Sequence, residues 1–136
     1  MIIIIIGLPA SGKTYYYNEN FKDNYILYDD FITTLFNGDL INDIKKNKDI
    51  CMIDPRLCNY DRFISIISII EQIIDKRKIK LILFKNDKIN CLINARKRNE
   101  LEKNKIVDKS IEFYSNIYDL NNYSNYNYEI IDVYKN

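Results

Sequence analysis

Five consecutive isoleucines, Ile2–Ile6, run straight into Gly7-Leu8-Pro9-Ala10-Ser11-Gly12-Lys13-Thr14. No other stretch restricts the fold of this chain as much. A β-branched run with no polar alternation is a strand buried on both faces, as in a parallel sheet covered by helices. The eight residues after it match G-x-x-x-x-G-K-[ST] at every fixed position. The spacing has a physical reason. Gly7 and Gly12 let the backbone turn into a tight concavity whose N–H groups point inward. A helix beginning there adds the partial positive charge of its N-terminus. Lys13 is then placed to reach β- and γ-phosphates, and the Thr14 hydroxyl to ligate Mg²⁺, with Pro9, Ala10 and Ser11 completing the loop. The segment predicts a site for a nucleoside triphosphate.

Composition adds weight to that reading. The chain holds only three glycines, and two of them belong to the motif. Ile, Asn, Lys and Tyr are heavily used, as an AT-rich coding sequence would produce, so a glycine kept against that bias has a backbone job. With 136 residues the chain fits one domain with one core. A net charge of +1 gives no overall basic field, so nucleic acid could bind only through a local patch. The absence of histidine excludes imidazole acid–base catalysis. Cys51, Cys58 and Cys91 have no C-x-x-C spacing and no histidine partners, which points to reduced, partly buried thiols rather than a metal cluster or disulfide framework. The isoleucine run is too short for a signal-peptide core or a membrane span, and no later segment is longer. A soluble cytoplasmic protein with no membrane partner is the expectation.

Strands are expected at 25–28, 49–53, 79–84 and 128–133. Helices are expected from 14 to about 21, between 31 and 46, from 60 to about 76, from an Asp87 cap to about 99, and from an Asp108 cap to about 120. The third of these is the clearest: Phe63, Ile66, Ile67, Ile70, Ile73 and Ile74 recur at helical spacing. The Asn/Tyr-rich stretch 121–127 reads as a polar loop. Strands alternating with helices predict an α/β domain with a parallel, helix-flanked sheet.

Two acidic positions end expected strands. Asp29 and Asp30 close the second, at the edge where open α/β sheets bind ligands, and a carboxylate there can take a proton from an attacking hydroxyl. Helix capping is the plainer role for one of the pair. Asp54 closes the third strand, where an acid can hold Mg²⁺ through water or simply form an Asp-Pro turn. Tyr15, Tyr16 and Tyr17 could stack on a base, though composition is the simpler explanation.

The order of these features resembles the polynucleotide kinase and zeta-toxin group of P-loop kinases over nearly the whole chain. The matching elements are G-x-P-x-S-G-K-T, a strand ending in Asp29-Asp30-Phe31, and a strand followed by Asp54-x-x-Leu57 with Arg62 soon after. A strand ending in Phe84 and a helix carrying Arg98-Asn99 complete the set. The resemblance implies a three-layer P-loop domain over residues 1–136, with five parallel strands in the order 2-3-1-4-5 and a small lid around 87–107. It implies Asp29 as general base, Asp29 and Asp30 as acceptor-binding residues, Thr14 and Asp54 at Mg²⁺, and Arg98 with Arg96 closing over the phosphates. Two positions depart from the pattern. Ile32 stands where the family often has arginine, and Glu102 lies where a second lid arginine is expected, with Lys103, Lys105 or Arg96 as substitutes. The expected activity is transfer of the γ-phosphate of ATP to a polynucleotide 5′-hydroxyl or a nucleotide-like small molecule. A P-loop ATPase or nucleotide-dependent switch is the alternative. Lys85-Asn86-Asp87 is only a scrambled relative of the guanine-reading N-K-x-D, which favours ATP over GTP.

Overall fold

The computed structural model describes residues 1–29, 38–97 and 101–135, except for the side chains of 101–105. Strand β1 (Ile2–Ile6) enters the loop expected from the sequence, and helix α1 (Lys13–Asn20) leaves it. Then follow β2 (Ile26–Asp29), α2 (Asp39–Lys45), β3 (Ile50–Ile53), α3 (Tyr60–Glu71), β4 (Ile79–Phe84), α4 (Lys88–Arg96), α5 (Leu101–Ile117) and β5 (Asn127–Ile131). The strands form one five-stranded parallel sheet in the order β2-β3-β1-β4-β5, flanked by helices. The sheet and its strand order are those expected from the sequence.

β1 is central because its chemistry allows no other place. Its five isoleucines are all buried. Its backbone pairs on one side with β3, Ile2 opposite Ile50 through Ile5 opposite Ile53, and on the other with β4, Ile2 opposite Ile79 through Ile6 opposite Leu83. β3 is buried throughout as well. Apart from Lys80 in β4, which pairs with Glu129 of β5, the polar and exposed strand residues fall on the edge strands β2 and β5, where one face or one side still meets water. Parallel pairing needs a crossover between successive strands, and the helices supply it. The consequence for function is that β1, β2 and β3 all end at one edge of the sheet, with Asp29 in register with Ile53, and Ile53 with Ile5.

The structure shifts several expected boundaries. α3 buries Phe63, Ile66, Ile67 and Ile70, as the periodicity requires, but ends at Glu71. The Asp75 carboxylate accepts hydrogen bonds from the Arg77 backbone and guanidinium, which caps a 3-10 turn at Lys76–Lys78. Asp108 does not cap a helix, because α5 begins at Leu101; its carboxylate instead accepts from Arg96 at 2.6 Å. The stretch read as a polar loop contains a 3-10 turn at Leu120–Tyr123, capped by Asp119. Tyr123 there is fully buried, and its hydroxyl donates to the Leu57 carbonyl at 2.5 Å. Among the described residues no helix is long and apolar enough to cross a membrane.

Candidate functional site

At the carboxyl edge of the sheet the chain leaves β1 through residues 7–12 and borders a cleft of about 470 Å³. That volume is in the range of small-molecule sites, roughly 300–1,000 Å³. Pro9, Ala10, Ser11, Gly12, Lys13 and Thr14 line it along the loop. Asp29, Ile53 and Pro55 line it on the β2–β3 side, and Tyr15, Asn94, Lys97 and Tyr134 complete the wall. The loop and Asp29, singled out independently in the sequence, therefore face one space.

The loop backbone is unusual in ways that suit an anion. Ala10 has φ 63° and Gly12 has φ 102°, both left-handed. For alanine this costs roughly 1–2 kcal/mol, and such conformations persist only where neighbours enforce them. Here the enforcing contact is Asn94, a buried side chain on α4 whose Nδ2 donates to the Ala10 carbonyl at 2.9 Å and to the Tyr134 carbonyl at 2.7 Å. The Tyr134 N–H in turn donates to the Ser11 carbonyl at 3.0 Å. Left-handed residues next to right-handed ones gather successive N–H groups into an anion-binding concavity. The two motif glycines meet separate demands. A Cβ on Gly7 would lie 2.8 Å from both Phe84 Cβ and Ser11 Oγ. At Gly12 a Cβ would lie 2.8 Å from Tyr134 Cβ, besides being strained by the positive φ.

Three observations test whether the residues fit a triphosphate with its metal. The Ser11 hydroxyl is buried, lines the cleft, and has no hydrogen-bond partner among the described residues. An orphaned hydroxyl costs about 1–3 kcal/mol, which a phosphate oxygen could recover. The N-cap of α1 is Gly12, with no side-chain cap and no acidic residue in the first turn, so the helix itself offers no competitor to an anion for its first N–H groups. Lys13 is only 8% exposed, and its ammonium is folded against its own loop, donating to the carbonyls of Gly7 at 2.9 Å and Leu8 at 2.7 Å. The donor set for Mg²⁺ is thinner. Among the described residues no group of three acidic, histidine or cysteine side chains could hold a metal. Mg²⁺ is commonly held by one or two protein oxygens together with phosphates and water, and exposed Thr14, which lines the cleft, would offer one such oxygen.

Asp54 occupies a different environment from Thr14. It is fully buried and is not part of the cleft wall. Oδ1 accepts from the Arg56 backbone N–H and Nε, both at 2.9 Å, and Oδ2 accepts from the other guanidinium nitrogen at 2.7 Å. The carboxylate thereby caps the 3-10 turn Pro55–Cys58. The Asp-Pro turn is thus present, and any contact of Asp54 with a metal would run through water or require Arg56 to release it.

The basic residues sort differently from the sequence expectation. Arg96 is not among the cleft residues; it pairs with Asp108. Lys97, the next residue, lines the cleft instead. Asp30, Ile32 and Arg98 lie outside the described residues, as do the side chains of Glu102, Lys103 and Lys105. Lys97, Asn94 and Tyr134 were missed in the sequence. Asn94 carried a signal, since it shares the buried face of α4 with Cys91 and Ala95, but an asparagine-rich chain hides one more asparagine.

The core of the domain also holds thiols. Cys51, Cys58 and Cys91 are all buried and unpaired. Burial pushes Cys58 up to about 12, outweighing nearby Lys13 and the bond from the Gly7 backbone, which pull the other way. Burial likewise pushes Cys51 and Cys91 up to about 12. Alkylation proceeds through the thiolate. Iodoacetamide at neutral pH should therefore leave all three cysteines of the native protein unmodified over a period that labels the urea-unfolded chain completely. Mass spectrometry reads the outcome, and rapid labelling of native Cys58 would contradict it.

No protein-family model matches the sequence. Over 138 aligned residues the chain is 41% identical to "Uncharacterized protein R277" of Acanthamoeba polyphaga mimivirus, covering 98% of this chain and 97% of that protein. The chain belongs to the family of that mimivirus protein.

Proposed function

We propose that this chain, as a member of that viral protein's family, is an ATP-dependent phosphotransferase that moves the γ-phosphoryl group to a hydroxyl acceptor. One observation carries the reading: Asp29, at the end of β2, lines the same cleft as Lys13 and Thr14. A phosphate loop alone would serve an ATPase or a switch as well. A carboxylate across the cleft from it supplies what a kinase needs in addition, a proton acceptor for the attacking hydroxyl.

In this reading Asp29 orients the acceptor hydroxyl and takes its proton. Lys13 exchanges its two loop carbonyls for β- and γ-phosphate oxygens. Ser11 and the first N–H groups of α1 hold the phosphate chain, and Thr14 Oγ is the protein ligand to Mg²⁺. Held there by Thr14, Mg²⁺ would supply positive charge to offset the charge of the triphosphate. Gly7, Pro9, Ala10 and Gly12 shape the cradle. Lys97 lines the cleft as a cation, and Arg98 is the proposed phosphate-closing arginine, in a lid around 87–107. Asp30 is assigned to the acceptor side with Asp29, and Asp54 to an outer position at the metal. The acceptor class is a polynucleotide 5′-hydroxyl or a nucleotide-like small molecule, in a reducing cytoplasmic setting.

A second reading, a P-loop ATPase or nucleotide switch, is favoured by the pairing of Arg96 with Asp108, which withholds one expected cation from the cleft. Incubation with γ-labelled ATP, Mg²⁺ and a panel of oligonucleotides, nucleosides and sugars separates the two. Labelled acceptor supports the kinase. Release of inorganic phosphate alone would favour the second reading.

A further inference from the structure

The phosphate loop accounts for one part of the cleft. A nucleoside triphosphate also carries a base, and that base needs a face to lie on. Among the described residues, the aromatic rings lining the cleft are those of Tyr15 and Tyr134. Their centroids are 4.9 Å apart, with planes tilted by 45°.

These two tyrosines differ from others nearby. Tyr17, two residues on, is buried and donates its hydroxyl to the Tyr25 carbonyl at 2.6 Å. Tyr16 packs against Phe21 and Phe84. Tyr118 and Tyr123 are buried, each with its hydroxyl on a backbone carbonyl. Tyr15 and Tyr134 instead remain 53% and 42% exposed. Tyr134 is held in place by its backbone, through the bonds to Ser11 and Asn94. Its backbone is thus positioned at the cleft while its ring stays open to solvent. Tyr15 is set by the first turn of α1.

The strand order separates the two ends of the cleft. Asp29 ends β2, which is divided from β1 by β3; Tyr134 follows β5, which is divided from β1 by β4. A triphosphate lying along the loop with its γ end toward Asp29 directs its nucleoside away from β2, toward Tyr134. We propose that Tyr134, with Tyr15, forms the stacking platform for the donor's nucleobase, so that the base is gripped by its face. This rests on the reading of residues 7–14 as a triphosphate site. Stacking depends on ring area rather than on edge groups, so ATP and GTP should bind alike and the pyrimidine triphosphates more weakly.

Titration calorimetry with ATP and with inorganic tripolyphosphate, both with Mg²⁺, tests the proposal on the full chain. Tyr134→Ala keeps the backbone bonds. It should weaken ATP binding by about 5- to 150-fold, the range of base–aromatic stacking, and leave tripolyphosphate within about 2-fold. Tyr134→Phe should bind ATP like the parent. Equal weakening of both ligands would overturn the proposal, since Tyr134 would then act by shaping the loop. Unchanged ATP binding by Tyr134→Ala would overturn it too. Should Tyr134→Ala fail to fold, Tyr15→Ala carries the same test, with a selective loss of ATP affinity expected and a matched loss of both ligands contradicting it. Failure of the parent protein to bind either ligand would instead overturn the phosphate-loop reading itself.

Discussion

Converting Asp29 to Asn should lower phosphoryl transfer by about 10²- to 10⁴-fold, the usual contribution of a positioned general base, while ATP still binds. The sign of the binding effect follows from charge. A carboxylate across the cleft from the loop repels an anionic phosphate, so removing it should leave ATP affinity equal or slightly higher. Asp29 is exposed at the end of an edge strand, and the substitution is isosteric, so stability should change by less than about 1 kcal/mol. Steady-state rates, an ATP titration and a thermal melt on the one variant separate these effects. Transfer at the parental rate would remove Asp29 from the reaction. A collapse of ATP binding would make it part of the donor site instead.

Lys13→Met is the second large effect. Methionine keeps much of the buried volume and removes the charge. A hydrogen bond to a charged group contributes about 1.5–3 kcal/mol, so ATP affinity should fall about 10- to 100-fold. Transfer should fall further, by about 10²- to 10³-fold at saturating ATP, because charge builds on the transferring group only in the transition state. Lys13 also holds the Gly7 and Leu8 carbonyls, so a modest loss of thermal stability is expected. A Lys13→Met protein that binds ATP like the parent would show that the ammonium never leaves those carbonyls for a phosphate.

Much of the architecture was legible because it rests on strong local chemistry. An unbroken isoleucine run has one economical place, the centre of a parallel sheet, and β1 occupies it. α3 followed from a regular apolar spacing. What the sequence hid was decided by single polar contacts. The third helix ends at Glu71, and Asp75 beyond it caps a 3-10 turn by accepting from Arg77, while Asp108 receives Arg96 from within α5 rather than capping it. Tyr123 looked like part of a polar loop because tyrosine and asparagine are everywhere in this chain. Burial, ring contacts with Tyr60, Phe63 and Tyr118, and the bond to Leu57 mark it as core.

The candidate site divides in the same way. Residues 7–14 were legible as a contiguous pattern, and Asp29 as the last residue of a strand. Asn94 and Tyr134 were not, since they reach the loop from 84 residues away along the chain and from the segment after β5. Their roles exist only through the fold. A periodicity argument could not distinguish Lys97 from Arg96 at the end of α4, because one residue of helix rotation decides which cation meets the cleft and which meets Asp108.

The most direct measurement is a crystal structure with a non-hydrolysable ATP analogue and Mg²⁺. The expected result is the β- and γ-phosphates within the loop, Lys13 Nζ moved from the Gly7 and Leu8 carbonyls onto phosphate oxygens, Thr14 Oγ on the metal, and Asp29 facing the γ-phosphate across a gap that an acceptor hydroxyl can enter. An analogue bound away from residues 7–14, or a bound triphosphate with Asp29 directed away from its γ end, would contradict it.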